Sequence, residues 1–252
     1  MGKIIAITSG KGGSGKTLLT AALGMALAEA GKKVCLADGC FGMRGLDMAL
    51  GAQDKIVFDL ADLCDQDCAM EQVLVKLRGG ELYLAAAPQW EPELTDKQIA
   101  RALERLKKRF DYVLLDLPVI LQPITGRLLP LADEILLITL PGDLAARNTE
   151  RAAAMIRELG DLSVTMIMNF FSKGLVSSGR VSPPDALSAY LDIPLAGIVP
   201  FSELIYNAAF EGRLLDEYPE KVREAIQRIA KRLDGQSVPV KTYHARRLPW
   251  HS

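Results

Sequence analysis

Residues Gly10–Thr17 read G-K-G-G-S-G-K-T and follow directly on the apolar run Ile4-Ile5-Ala6-Ile7. Few short segments restrict a fold so strongly. A strand must deliver the chain into a glycine-rich turn, and a helix must carry it away. Gly10, Gly15, Lys16 and Thr17 meet the pattern G-x4-G-K-[ST]. In that pattern glycines let successive backbone N–H groups converge on one phosphate. The following helix adds the positive end of its dipole. Lys16 then reaches the β- and γ-phosphates of a nucleotide, and the Thr17 hydroxyl binds Mg²⁺. Leu19, Leu23, Ala26 and Leu27 fall on one side of the helix, and Gly31 ends it.

Apolar runs of strand length recur at 3–8, 33–37, 81–86, 111–115, 134–140, 163–168 and 195–199. Helical periodicity fills much of 16–30, 95–108, 144–159 and 218–233. This alternation predicts an α/β domain: a mainly parallel twisted sheet, helices on both faces, and ligands at the carboxyl ends of the strands. A chain of 252 residues that is 49% apolar can bury a sizeable core. Its length fits one large domain, 1–234, with 235–252 reading as a tail. The stretch 172–184 reads as a polar, glycine- and proline-bearing loop before a helix at 185–191.

The net charge of −1 and an aromatic content of 6% argue against a nucleic-acid partner. No apolar stretch is long enough to span a membrane. Met1-Gly2-Lys3 runs straight into a strand without a signal-peptide or myristoylation pattern. A cytoplasmic chain is expected, with its cysteines Cys35, Cys40, Cys64 and Cys68 reduced. Cys64 and Cys68 have a spacing within zinc range. No second ligand pair follows them, and His244 and His251 both fall in the tail.

Two strands end in carboxylates. The strand at 33–37 leads into Asp38, and Tyr112-Val113-Leu114-Leu115 leads into Asp116. An apolar strand ending in aspartate suits a Walker B role, in which Asp116 holds a water ligand of Mg²⁺ or bonds to Thr17. Lys11 follows the first glycine, giving K-G-G-x-G-K-T, and residues 37–47 read A-D-G-C-F-G-M-R-G-L-D. These two segments resemble the deviant phosphate loop and the strand-two loop of the MinD/ParA ATPases, a group with the P-loop NTPase fold. Gly42, Arg44, Leu46, Asp47 and Gly51 hold the family's places.

The resemblance implies that Gly10, Lys11, Gly12, Gly13, Ser14, Gly15, Lys16, Thr17 and Leu18 hold ATP. It also implies that Lys11 crosses a dimer interface to the partner's phosphates. Asp38 would lie near Mg²⁺ or its water shell; capping a helix is the alternative role for such a residue. Cys40 stands where the family has a second aspartate that positions the attacking water. A thiol is a weak hydrogen-bonding substitute, and losing such a group costs on the order of 10²–10⁴ in rate. Gly45 replaces the family's usual asparagine. Asp116-Leu117-Pro118-Val119-Ile120 keeps the proline of the family's D-x-P-A-G but has Ile120 for the glycine, whose branched side chain is expected to hinder approach to the γ-phosphate. Ala132-Asp133-Glu134, Pro141, Arg147, Gly212 and Arg213 also match. Asn169, at the end of the 163–168 strand, is by resemblance an adenine reader and by residue type equally a turn residue. Ile198-Val199-Pro200-Phe201 resembles the segment beside the base.

The function so implied is an ATP-dependent dimerising switch ATPase, converting ATP and water to ADP and phosphate, in division-septum placement. Its partners would be a second copy, a division-inhibitor or activator protein, and a membrane surface. A peripheral contact with the inner face of the cell membrane rests on the tail residues Lys241, Arg246, Arg247, Leu248 and Trp250, and a disordered tail is the alternative. Pro249 breaks any helix there. The alternatives are a flagellar-number regulator of the FlhG kind, a ParA-like partition ATPase, an ATP-held scaffold with slow or absent hydrolysis (motivated by Cys40 and Ile120), and a metal carrier built on Cys64 and Cys68.

Overall fold

The computed structural model describes residues 2–65, 68–78, 80–213, 218–241 and 243. Among the described residues eight strands form one sheet: β1 (Lys3–Ser9), β2 (Val34–Asp38), β3 (Val75–Lys76), β4 (Leu82–Ala85), β5 (Tyr112–Asp116), β6 (Glu134–Thr139), β7 (Val164–Phe171) and β8 (Leu195–Pro200). Their order is β3-β4-β2-β5-β1-β6-β7-β8, and every neighbouring pair is parallel except the antiparallel edge β3–β4. The helices are α1 (Lys16–Glu29), α2 (Leu46–Ala49), α3 (Leu60–Asp65), α4 (Met70–Val73), α5 (Asp96–Arg109), α6 (Pro123–Leu128), α7 (Asp143–Glu158), α8 (Lys173–Ser177), α9 (Pro184–Leu191), α10 (Glu203–Phe210) and α11 (Glu220–Leu233).

Continuous apolar strands make two cores because side chains alternate across a sheet. Ile4, Ala6, Cys35, Val113, Leu115 and Leu137 face α3, α5, α7 and α9. Ile5, Ile7, Leu36, Leu114 and Leu136 face α1, α2 and α11. Helix α5 has its amphipathic face anchored by a capping box: the Thr95 N–H donates to Gln98 Oε1 at 2.9 Å, and the Gln98 N–H donates to Thr95 Oγ1 at 3.3 Å. Lys107, Lys108 and Arg109 occupy its last turn, where cations suit the dipole.

One expectation is corrected. The stretch 172–184 is not all loop, because α8 forms a short turn of helix within it. Part of the stretch read as a tail is tied to α11. Arg232 donates to Val238 O at 2.6 Å and Pro239 O at 2.6 Å, and Arg228 donates to Pro239 O at 2.8 Å. The Tyr243 ring lies 4.5 Å, centroid to centroid, from Phe171. A guanidinium fork satisfies carbonyls that a free chain would leave to water. Arg246, Arg247, Leu248 and Trp250 lie outside the described residues. No described helix is long and apolar enough to cross a membrane.

Asp133 fixes the start of the central strand, accepting from the Ile4 N–H at 2.7 Å and from Lys107 at 2.6 Å. Burial alone would raise its pKa, but Lys107 and the Ile4 N–H outweigh this and hold the carboxyl below its usual value. A depressed folded-state pKa gives stability that is complete above the unfolded value of about 3.9 and is lost as pH falls through the folded value. Asp133→Ala is therefore expected to cost about 1 kcal/mol at pH 7, most of it from the stranded amide since the side chain is partly solvated. Urea titrations of both proteins check this. The gap should narrow below pH 4, and a gap of equal size at pH 3 would contradict the assignment.

Candidate nucleotide site at the strand carboxyl ends

β1 delivers the chain into the glycine loop at the point where the connections diverge: β1 leads to β2 on one side, whereas its neighbours β5 and β6 lead to β6 and β7 on the other, a place where open parallel sheets bind ligands. Gly15 caps α1 with φ +82°, a left-handed backbone that glycine adopts without strain. No side chain caps this helix, and its first turn holds no acidic residue. The first N–H groups of a helix have no partners within it, so this terminus suits an anion. Ser14 Oγ, also in the loop, is buried without a partner among the described residues. Lys16 Nζ donates to Ser9 Oγ at 3.3 Å, and Ser9 Oγ donates to the Lys11 carbonyl at 2.8 Å. Lys11, Gly12 and Gly13 are exposed, whereas Leu18 is buried in the core and leaves only its backbone for a ligand. Gly10 has a packing reason to be glycine: a Cβ there would fall 2.1 Å from the Asn148 carbonyl of α7.

Thr17 Oγ1 donates to Asp116 Oδ2 at 2.7 Å, the contact expected of a Walker B aspartate. Thr20 Oγ1, one helical turn on, donates to Asp116 Oδ1 at 3.3 Å. The β2–β5 register places Asp38 opposite Asp116, so two strands ending level put two buried carboxylates side by side. Asp38 Oδ1 accepts from the Cys40 N–H at 2.9 Å and Oδ2 from the Leu46 N–H at 3.1 Å. Asp38 thus closes the loop between β2 and α2 and caps the first amide of α2. Arg44, at φ +44°, completes that loop through a 2.6 Å ion pair with the fully buried Asp47.

Burial, and then the charge of Asp116, push the Asp38 carboxyl up from its ordinary range. Burial pushes Asp116 up as well, against the opposing pull of Thr17, Lys16 and Thr20. Such a pair favours a bound cation or a held proton. The ligand atoms of Asp38, Cys40 and Asp116 all lie within 4.8 Å of one another. With the uncapped helix start beside them, these residues fit a magnesium nucleotide. Burial first, then the two carboxylates, push the Cys40 thiol strongly up, and it donates to the Asp116 carbonyl at 3.8 Å. A neutral thiol engaged as a donor is a poor proton acceptor.

Ile120 departs from expectation. Its side chain is 5% exposed and packs in the core, and its N–H donates to the Ser9 carbonyl at 3.1 Å. The branched side chain is turned into the core, away from the open edge where hindrance of the phosphates was expected. Asn169 does not end its strand either, because β7 continues to Phe171. It is fully buried, and its Nδ2 donates to the Ser14 carbonyl at 2.9 Å. Pro200 ends β8 opposite Phe171. Cys64 is packed into the core by α3, its thiol pushed up to about 12 by burial and then by Asp65 and Asp59. A Cβ on Gly15 would fall 3.0 Å from the Phe170 ring. Ser9, Thr20 and Phe170 are the site residues that sequence reading missed. Only Thr20 carried a signal, its spacing of one helical turn from Thr17.

A family model described as an AAA domain matches residues 2–166. The septum site-determining protein MinD of Bacillus subtilis is 34% identical over 246 residues, which cover 95% of this chain and 92% of that one. The Synechocystis protein of the same name is 33% identical over 95% of this chain and 92% of its own. Among solved structures, the MinC:MinD cell division protein complex of Aquifex aeolicus superposes with a TM-score of 0.87 at 30% identity, covering 96% of this chain and 99% of that one. MinD of Pyrococcus horikoshii complexed with Mg-ADP gives 0.81 at 29% identity over 93% of this chain and 96% of that one. A ParA family ATPase from Chlorobium tepidum, at 18% identity and a TM-score of 0.75, shares the fold. The chain belongs to the MinD family of P-loop ATPases.

Proposed function

We propose that this chain is an ATP-dependent dimerising switch that acts in placing the division septum. One observation carries the reading: an uncapped, acid-free helix start at Gly15 lies beside a Thr17–Asp116 contact of 2.7 Å. The backbone from Gly10 to Leu18 and the Lys16 ammonium hold the phosphates. Thr17, Asp38 and Asp116 would hold Mg²⁺ or its water ligands. Pro200 borders the base. Mg²⁺, when bound, neutralises charge on the phosphate oxygens. The solved complex of MinD with Mg-ADP supports this cofactor pair.

Dimerisation is supported by the surface around the loop. The segments that follow four strands of the sheet present exposed apolar side chains at this edge: Trp90 after β4, Met43 after β2, Leu121 after β5 and, in the first turn of α7, Leu144 after β6. Lys11, exposed in the loop after β1, falls within that row, between the segments that follow β5 and β6. A second copy would cover this apolar surface and bring its Lys11 to the phosphates. The MinC:MinD complex supports a protein partner of the division-inhibitor type. A second reading, an ATP-held scaffold with little turnover, is favoured by the neutral, hydrogen-bonded thiol of Cys40.

Two outcomes are expected. In sedimentation velocity, the wild type should be a dimer with Mg·ATP and a monomer with Mg·ADP. Lys11→Ala should bind ATP yet stay monomeric, and an ATP dimer of that variant would exclude a role for Lys11 across the interface. In single-turnover assays, Cys40→Asp should hydrolyse ATP on the order of 10²-fold faster than the wild type. Equal rates would mean that another group orients the water.

A further inference from the structure

We propose that Asp38, Cys40 and Asp116 form a site for a thiophilic divalent cation, of the zinc or cobalt class, with Cys40 supplying a sulfur ligand. The inference rests on the cation reading of these strand ends given above and deepens it. Magnesium takes oxygen ligands, whereas this chain sets one sulfur beside two carboxylates, a donor set that suits softer ions.

The three donors converge because β2 and β5 end level. One ligand atom each from Asp38, Cys40 and Asp116 lies within 4.8 Å of the other two. Ligands on a tetrahedral zinc ion, with bonds of about 2.3 Å to sulfur and 2.0–2.2 Å to oxygen, stand roughly 3.4–3.6 Å apart. Closing the set therefore takes about 1 Å, which side-chain torsions supply. Gly39 permits the approach. A Cβ there would fall 2.7 Å from the Leu117 side chain and 3.1 Å from the Asp116 carbonyl oxygen. The Gly39 N–H donates to that carbonyl at 2.8 Å, so the end of β2 is held against the end of β5 and Cys40 is the next residue. Among the described residues no other three His, Cys, Asp or Glu side chains converge in this way.

The carboxylates are also oriented as ligands need to be. Carboxylates that bind metals are themselves hydrogen-bonded, which fixes their direction. Asp38 accepts from the Cys40 and Leu46 N–H groups, and Asp116 from the Thr17 and Thr20 hydroxyls, one to each oxygen. Every one of these oxygens keeps a second lone pair. Both aspartates are buried and cannot swing out to water. Cys40 is only partly buried, which gives an ion a way in from solvent. Its present contact is expendable: the thiol donates to the Asp116 carbonyl at 3.8 Å, and that carbonyl already has the Gly39 N–H. Binding exchanges the S–H bond for a sulfur–metal bond and releases the proton to solvent. Both kinds of cation call on Asp38 and Asp116, so a thiophilic ion and the magnesium of a nucleotide compete for one position.

The test titrates the reduced, metal-free full chain with Co²⁺ in the absence of nucleotide and oxygen. The wild type should bind the ion with a sulfur-to-cobalt charge-transfer band in the near ultraviolet, and Zn²⁺ should abolish that band by displacement. Cys40→Ser should lose the band and bind Co²⁺ at least about tenfold more weakly, while Cys68→Ser should keep both. A wild type without the band, a band that survives Cys40→Ser, or one that vanishes with Cys68→Ser would each overturn the inference. If Cys40→Ser does not fold, cadmium NMR of the wild type decides, because the metal shift reports how many sulfurs are bound. A shift for one sulfur among oxygens supports the site, and a shift for none or for two contradicts it. Binding of Mg·ATP to the wild type, measured apart, judges the nucleotide reading; its absence beside a cobalt band would leave the metal site standing alone.

Discussion

Helix α1 starts with backbone N–H groups that no side chain caps, and the surrounding structure is arranged around that positive terminus. A helix end of this kind is ordinarily satisfied by serine, threonine or aspartate. Here the position is Gly15, and the first turn carries Lys16 and Thr17 and no acid. The local cost is accepted because the terminus faces an edge where the sheet gathers its polar groups. Ser9 holds Lys16 and the Lys11 carbonyl, Asp116 holds Thr17 and Thr20, and Asn169 holds the Ser14 carbonyl. Each of these supports comes from the last residues of a β-strand: Ser9 and Asp116 end theirs, and Asn169 stands two residues before the end of β7. Their relative positions are therefore set by strand register, the most rigid coordinate an α/β domain has.

Register also explains the electrostatics. Asp38 and Asp116 are neighbours because β2 and β5 end level, and both are buried because helices cover both faces of the sheet. Two carboxylates so placed repel, and a cation between loop and strands relieves them. Asp38 additionally ties the β2–α2 loop, which carries Cys40 and Met43, through two backbone amides. On the proposed reading, a carboxylate that serves both purposes would couple nucleotide state to surface shape.

Much of this was legible in the sequence, for physical reasons. Strands buried on both faces read as continuous apolar runs, so all seven long strands stand where the runs place them. The glycine loop is a backbone requirement written in residue type. The two-residue β3 and helices such as α2, α4 and α8 span too little chain to show a period. Ile120 looked obstructive because a branched residue replaces glycine, but the sequence does not record that its side chain turns inward. Phe170, at φ +52° where the β7–β8 register slips, carries no signal for a left-handed backbone, since the slip arises from tertiary packing against Phe201 and Tyr206. Arg232 and its carbonyl partners likewise joined the body to a stretch whose composition resembles a free tail.

The central claim is that the strand ends form a ready seat for a magnesium nucleotide. Isothermal titration calorimetry of the wild-type chain with Mg·ATP tests it most directly. One nucleotide per chain, bound with a Kd of about 1 μM to 100 μM (roughly −8 to −5 kcal/mol) and lost on chelation of Mg²⁺, is the predicted result. Absence of binding, or binding indifferent to the metal, would contradict the account.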